Sequence, residues 1–492
     1  MRATALPRKG TTVSTTPRGG SPVAATVALC FGGLTVALTQ TLVIPIQSEL
    51  PRLLGTSAAN AAWVVTITLL AAAVTMPVAG RLADLFGKQR VLVVSAAILV
   101  AGLLVSALSD TLAPMLVGRA LQGLAMGFIP VGISLLREIT PPHMAGSAVA
   151  AMSATLGVGG AIGLPLSAWI VDVADWHALF WVATAAAAVI LALTWLVVPH
   201  VHDGRPGRVD AVGAIGLAIG LVSLLVGISK ATTWGWGDAR TLGAIAAGLV
   251  VLVVWGVFEL RQAEPLVDLR ATAQRPVLMT NLAGIAIGFG MMAQSIVVPQ
   301  LLQLPSATGY GLGQSLLAAG LWMAPAGLMM MLFAPASSKL IADIGPKATL
   351  MIGAAVLGSG YLVAFFLMGA PWQLLIASCV SSAGVGIGYA AMPTLIMDAV
   401  PPSEAASAVG LNALTRSLGT TLAAAVMGTL LTSNTNSFGA FELPSEGAFQ
   451  LCFVAGAVAA FVGVAIASTI PHQRRARQTA AGEPQQAPAA AR

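Results

Sequence analysis

Fourteen apolar runs, each close to ~20 residues long, dominate this chain. Wound as an α-helix at ~1.5 Å per residue, such a run crosses the ~30 Å hydrocarbon core of a bilayer. Only helices and closed barrels satisfy every backbone polar group in lipid. A barrel would show alternating segments of ~10 residues, and these runs do not alternate. Only 9% of the residues are charged, against ~25% in soluble domains, which argues against a water-soluble enzyme. The runs occupy 24–46, 59–79, 91–109, 112–136, 148–170, 177–198, 211–229, 241–258, 277–299, 313–333, 348–369, 373–396, 405–430 and 449–470. The reading is an all-α polytopic membrane protein with disordered polar tails at 1–23 and 471–492.

The net charge is +6, and its distribution carries the information. With the N-terminus placed in the cytoplasm, 19 of the 24 Lys and Arg residues fall in cytoplasmic loops and tails. Three (Arg52, Lys230 and Arg240) fall outside, and Arg119 and Arg416 lie within spans. Short loops rich in Lys and Arg stay in the cytoplasm, so both termini are expected there. No nucleic-acid partner is implied. We call the face with most of the charge the basic side. Trp234 and Trp236 then fall at the opposite surface as interfacial residues. The three cysteines lie inside apolar runs, where neither a disulfide framework nor a zinc pattern is available. His200 and His202 read as a solvated loop pair, and no metal site or cofactor is expected.

The chain also repeats itself. The segment "LREITPPHMAGSAV" at 136–149 matches "IMDAVPPSEAASAV" at 396–409. Pro77, Arg81-Leu82 and Gly87 match Pro335, Lys339-Leu340 and Gly345. Spans 1–6 (residues 24–199) and 9–14 (277–470) are therefore parallel copies, and 200–276 is an inserted two-helix hairpin with its linkers. Two such copies form a transporter architecture, with substrate bound between them near the midplane.

The string "GRLADLFGKQR" at 80–90 reads locally as a tight basic turn in which Gly80 and Gly87 permit close packing or positive φ. As a string it resembles the signature loop between helices 2 and 3 of the major facilitator superfamily, through Gly80, Asp84, Gly87, Lys88 and Arg90. "GRALQGLAMGFIP" at 118–130 resembles that superfamily's fourth-helix motif. "GVGGAIGLPLSAW" at 157–169 is similar to its fifth-helix antiporter motif through Gly159, Gly163 and Pro165, with Leu164 before the proline and Ser167-Ala168 in place of the usual glycine pair. With 14 spans, the resemblance points to the 14-span drug:proton antiporters. It implies the major facilitator fold and alternating access driven by the proton gradient, with lipophilic drugs as cargo. It also implies that Asp84 bonds across the interface to the start of span 13, near Ser403.

The chain departs from that family where an aspartate usually stands in the first helix, since Thr39 and Gln40 occupy the place. Terminal carboxylates such as Glu49 and Asp398 are the remaining candidate proton carriers. Arg119 and Arg416 are buried cations, and each costs ~2.5 kcal/mol or more unless paired or hydrated. Gln40, Gln122, Asn412 and backbone carbonyls freed around Pro393 or Pro165 are the expected partners. Two readings stand for the arginines: clamps between helices, or cavity-lining groups that make the pocket positive. Gln40 is likewise interhelical glue or cavity lining, and Gln294, deeper than Gln300, is its weaker counterpart in the second half. The expected substrate cavity is thus Gln40, Arg119, Gln122, Gln294, Asn412 and Arg416.

The expected function is a monomeric, proton-coupled exporter of drugs or lipophilic small molecules in the cell membrane of a bacterium. An exporter of anionic amphiphiles using the arginines as counter-charge is the alternative. A transport-inactive scaffold of the same fold is the reading from another class. Nothing points to an enzyme, since no His/Asp/Cys cluster shares a common depth.

Overall fold

The computed structural model describes residues 21–44, 46–47, 49–201, 207–438 and 441–471. Most of both expected tails, and His202 of the histidine pair, lie outside the described residues. Fourteen helices carry the fold: α1 (Pro22–Thr41), α2 (Trp63–Phe86), α3 (Lys88–Ala107), α4 (Leu112–Ile139), α5 (Pro142–Val173), α6 (His177–Leu196) and α7 (Ala211–Trp234), then α8 (Ala239–Glu259), α9 (Arg275–Gln303), α10 (Leu316–Ile344), α11 (Pro346–Phe366), α12 (Pro371–Ala399), α13 (Pro402–Ser433) and α14 (Glu446–Ser468). All are long and apolar enough to span a membrane, with α5 counted as one bent span.

The helix starts follow from sequence. Pro22, Pro142, Pro276, Pro346, Pro371 and Pro402 stand in the first turn of their helices, where the missing N–H costs nothing. Asp210, Asp238, Ser315 and Ser445 cap α7, α8, α10 and α14 by accepting a backbone N–H, which satisfies donors a helix leaves open. α5 bends by 42° between Gly160 and Pro165, where the proline removes a ladder hydrogen bond.

The helices form two six-helix bundles, α1–α6 and α9–α14, with α7–α8 as a hairpin against α2 and α13. The bundles have separate apolar cores, but the cores merge on the basic side. There Ile396, Met397, Ala406 and Val409 of the second bundle join the core of the first. A third cluster ties Leu217, Leu221 and Leu225 of the hairpin to Leu70 and Ala73 of α2 and to Leu411 and Leu414 of α13. A short antiparallel ribbon, β1 (Thr435–Phe438) and β2 (Phe441–Pro444), links α13 to α14. It was not expected from the sequence, because its residues follow the last long apolar run but one without alternation.

The signature segment differs from the turn that the sequence suggests. α2 continues to Phe86 and α3 starts at Lys88, so Gly87 alone makes the break. Its φ is +96°, and its repeat partner Gly345 has φ +87° between α10 and α11. Backbone of this kind is essentially reserved for glycine. Gly87→Ala and Gly345→Ala are each expected to destabilise the protein by about 1–3 kcal/mol. Gly243→Ala, in open space with ordinary φ, serves as the neutral control. Thermal unfolding in detergent measures all three.

Candidate functional site

Between the two bundles lies a cavity of about 510 Å³. α1, α2 and α5 supply one wall, and α9, α10 and α12 the other. The lining runs from Gly157 and Met330 at depth to Ile44, Gln47, Gln300 and Gln303 near the side opposite the basic one. It contains no Asp, Glu, Lys, Arg or His among the described residues. Its polar groups are amides and hydroxyls, chiefly Gln40, Gln47, Gln294, Gln300, Gln303, Ser295 and Ser382. Its apolar surface includes Met291, Met292, Met323 and Met330, whose flexible thioethers adapt to varied shapes.

Gln40 and Gln294 sit on the first helix of each half and both face the cavity. The Gln40 side-chain amide donates to Met126 Sδ at 3.1 Å, and that of Gln294 to the Ser378 carbonyl at 3.3 Å. Each is thereby held against its own bundle. The glycines of α5 explain the close approach of that wall. A Cβ on Gly159 would press into Ala37 and the Leu34 carbonyl, and one on Gly163 would overlap Thr41. This is small-residue packing of α5 on α1. Pro165 faces α10 beside Gly320.

The other four expected cavity residues are placed elsewhere. Arg119 is 1% exposed. Its Nε donates to the Val64 carbonyl at 3.1 Å, and its Nη1 to the Thr39 carbonyl at 2.9 Å and Gln122 Oε1 at 2.7 Å. Gln122 in turn donates to Ser106 Oγ at 2.9 Å and to the Gly102 carbonyl at 3.3 Å. The arginine therefore fastens α4 to α1 and α2, and the glutamine fastens α4 to α3. Arg416 donates to Asn412 Oδ1 and stacks 4.4 Å from the centre of the Tyr389 ring. Asn412 donates to Asn281 Oδ1 at 3.0 Å, joining α13 to α9. The cavity-lining reading of Arg119, Gln122, Asn412 and Arg416 gives way to the clamp reading. The reason is geometric: none of the four lines the cavity, two carbonyls and Gln122 hold Arg119, and Asn412 and the Tyr389 ring hold Arg416, whose Nε is buried without a hydrogen-bond partner among the described residues.

The basic side is closed. Asp84, at the end of α2, accepts from the Ser407 N–H at 2.9 Å and the Ala406 N–H at 3.3 Å. These are free donors in the first turns of α13, where the helix dipole favours an anion. The bonds cross from one half to the other. Gly80, one turn earlier, lets α13 approach so closely that a Cβ there would collide with the Ala406 carbonyl. Gly410 faces the Met76 carbonyl in the same way. The matching contact of the repeat, Gly146 against Ser338, brings α5 to α10. Lys88 pairs with Glu138 inside the first half, while Arg137 pairs with Asp398 across the halves. Arg90 is exposed at the start of α3 and has partners of its own.

The two carboxylates expected to carry protons are thus both engaged away from the cavity. Asp398 belongs to the seal. Glu49 is half-exposed and holds Arg52 at 2.8 Å in a local surface pair. The sequence reading missed a third acid. Glu259, the last residue of α8, is 1% exposed and accepts from the Val267 N–H at 2.7 Å. Its signal was weak: a single acid at the edge of an apolar run looks like an ordinary loop residue.

The sequence profile of the Major Facilitator Superfamily matches residues 29–423 and 280–491. An uncharacterized MFS-type transporter of Mycobacterium tuberculosis, Rv1877, is 29% identical over 367 residues, which are 73% of this chain and 52% of that protein. The chain thus spans about half the length of that relative. The tetracenomycin C resistance and export protein of Streptomyces glaucescens is 29% identical over 429 residues, 84% of this chain and 77% of its own. Among solved structures, the human organic anion transporter MFSD10 (TETRAN) superposes with a TM-score of 0.64 at 14% identity. That match covers 91% of this chain and 99% of the human one, and it speaks for the fold.

Arg119→Met removes the donors to two buried carbonyls and to Gln122. Each unsatisfied group costs about 1–3 kcal/mol, so a marked drop in thermal stability in detergent is expected. Arg119→Lys rescues it only in part, because an ammonium lacks the planar fork. Equal stability of wild type and Arg119→Met would refute the clamp role.

Proposed function

Because the chain is a member of the major facilitator superfamily, and so a multi-pass membrane transporter, we propose that it exports uncharged lipophilic small molecules, drugs among them, by proton-driven alternating access. The observation that carries this reading is the composition of the cavity: amides, hydroxyls and thioethers without a formal charge. Such a lining hydrogen-bonds carbonyl and hydroxyl groups on an apolar scaffold. It offers no counter-ion to a cation or an anion, and burying an unpaired charge is costly. The anionic-amphiphile alternative relies on Arg119 and Arg416 in the pocket, and neither is among the residues that line it. The relative named as a tetracenomycin C resistance and export protein supports the direction and the class of cargo.

The excess of Lys and Arg assigns the basic side to the cytoplasm. The described conformation is then closed to the cytoplasm, with its cavity toward the exterior. The reverse state requires α2 and α13 to part, together with α5 and α10. Asp84 governs that step, since its two bonds to α13 exist only while the seal is shut. No acid among the described residues lines the cavity, so the proton-linked group is placed outside it.

Efflux from proteoliposomes across neutral, cationic and anionic lipophilic substrates, with the proton gradient present and collapsed, tests the reading. Neutral substrates are expected to move, and to slow when the gradient is collapsed. Gln40→Ala with Gln294→Ala is expected to weaken apparent affinity by about 1–2 kcal/mol, or roughly five- to thirtyfold. Asp84→Asn keeps binding and lowers the turnover rate. Transport restricted to charged substrates would overturn the reading.

A further inference from the structure

The hairpin carries a pair of acids that no transport role has yet used. Asp210 caps α7 through Oδ1, which accepts from the Gly213 N–H at 2.7 Å. Glu259 ends α8 and uses Oε1 to accept from the Val267 N–H. Their other oxygens, Asp210 Oδ2 and Glu259 Oε2, are buried and without a hydrogen-bond partner. Both stand within 2.8 Å of the point where a Cβ on Gly213 would lie. Glycine at that position therefore leaves room for two acceptors to face one another.

The Asp210 carboxylate repels that of Glu259, and neither buried oxygen has a donor among the described residues. A proton held between them removes both faults: one carboxyl becomes neutral and donates to the other. Helix polarity decides which. Asp210 lies at a helix N-terminus, where negative charge is favoured, and Glu259 at a C-terminus, where it is opposed. Arg81 of α2 interacts electrostatically with both Glu259 and Asp84, as the weakest of the influences on each, and its Nε is buried without a hydrogen-bond partner among the described residues. Of the other charged groups on the described linkers, Glu264 accepts from the Arg208 N–H at 2.6 Å, Asp268 caps the turn that follows it, Arg270 donates to the Leu260 carbonyl, and Arg208 and Arg261 complete the set.

We propose that Asp210 and Glu259 form a proton-binding site on the basic side that holds one shared proton while the seal is closed and releases it when the seal opens. The linker connects the site to the seal. Val267, bonded to Glu259, and Leu266 are buried in the cluster shared by α2 and α13. The Leu266 carbonyl lies 3.4 Å from Ser407 Oγ, on the residue whose N–H Asp84 holds. Parting α2 from α13 strips this cover, hydrates both acids and lets both ionise. The closed state thus binds one proton more than the open one, and acidification favours closure.

The inference rests on the alternating-access reading, but its test reads conformation and leaves transport aside. Spin labels at His143→Cys and Ile344→Cys, on α5 and α10 across the seal, report closure in nanodiscs after the three native cysteines are replaced by alanine. The closed-to-open ratio is expected to rise as pH falls, by up to about tenfold per pH unit for one linked proton. Glu259→Gln, whose amide imitates the protonated acid, and Asp210→Asn, which keeps the cap, are expected to flatten that slope. A slope unchanged in both variants overturns the proposal. So does a ratio that follows sodium at fixed pH, which would mark a cation site. Infrared spectroscopy gives an independent reading. The wild type should show a protonated carboxyl band that Glu259→Gln removes, and its absence from the closed wild-type protein also overturns the proposal.

Discussion

The contact on which the arrangement depends is the close passage of α2 over α13. Gly80 and Gly410 bring the two backbones together at two levels, and Asp84 then reaches donors that α13 cannot satisfy by itself. Glycine supplies proximity and the carboxylate supplies direction. Neither suffices alone. Without the glycines the acid could not reach the helix terminus, and without the acid the N–H groups would be left open away from water. In the proposed transport cycle the contact can be undone, because a surface-near helix terminus can be hydrated when the halves part.

The buried arginines do the reverse work. Arg119 spends its donors on carbonyls of α1 and α2 and on Gln122, all inside one bundle. Arg416, with Asn412 and Tyr389, stays inside the other. A cation that bonds several helices of one unit makes that unit rigid. In the proposed alternating access, rigid bundles of this kind move as bodies about the glycine-lined seams. The hydrogen bonds thus divide into permanent ones within the halves and breakable ones between them.

The inserted hairpin touches both halves at both ends. On the side opposite the basic one, Lys230 stands 4.7 Å from the centre of the Trp63 ring at the start of α2, and Trp236 donates to Thr429 of α13 at 2.7 Å. Trp236, expected at the interface, is therefore also a structural tie. On the basic side, Leu266 and Val267 fill the space beside the same two helices. An element attached in this way senses the angle between α2 and α13, which gives a pair of acids at its base a reason to respond to it.

The sequence by itself determined the helices, their count, the twofold repeat and the inserted pair, because span length in lipid and the recurrence of Pro, Gly and basic residues are local properties of a chain. It also marked Gly80, Asp84 and Gly87, whose spacing carries the close approach and the turn. It could not decide what Arg119 and Arg416 face. A helix turned by one residue would point either side chain at a cavity or at a neighbour, and two of Arg119's partners are backbone carbonyls, which every residue has. Glu259 was hidden for the same reason. Its burial arises from the linker that folds over it and from Asp210, some fifty residues away in the chain. Only tertiary packing settles which polar groups meet water and which meet each other, since that depends on distances between helices that no single segment encodes.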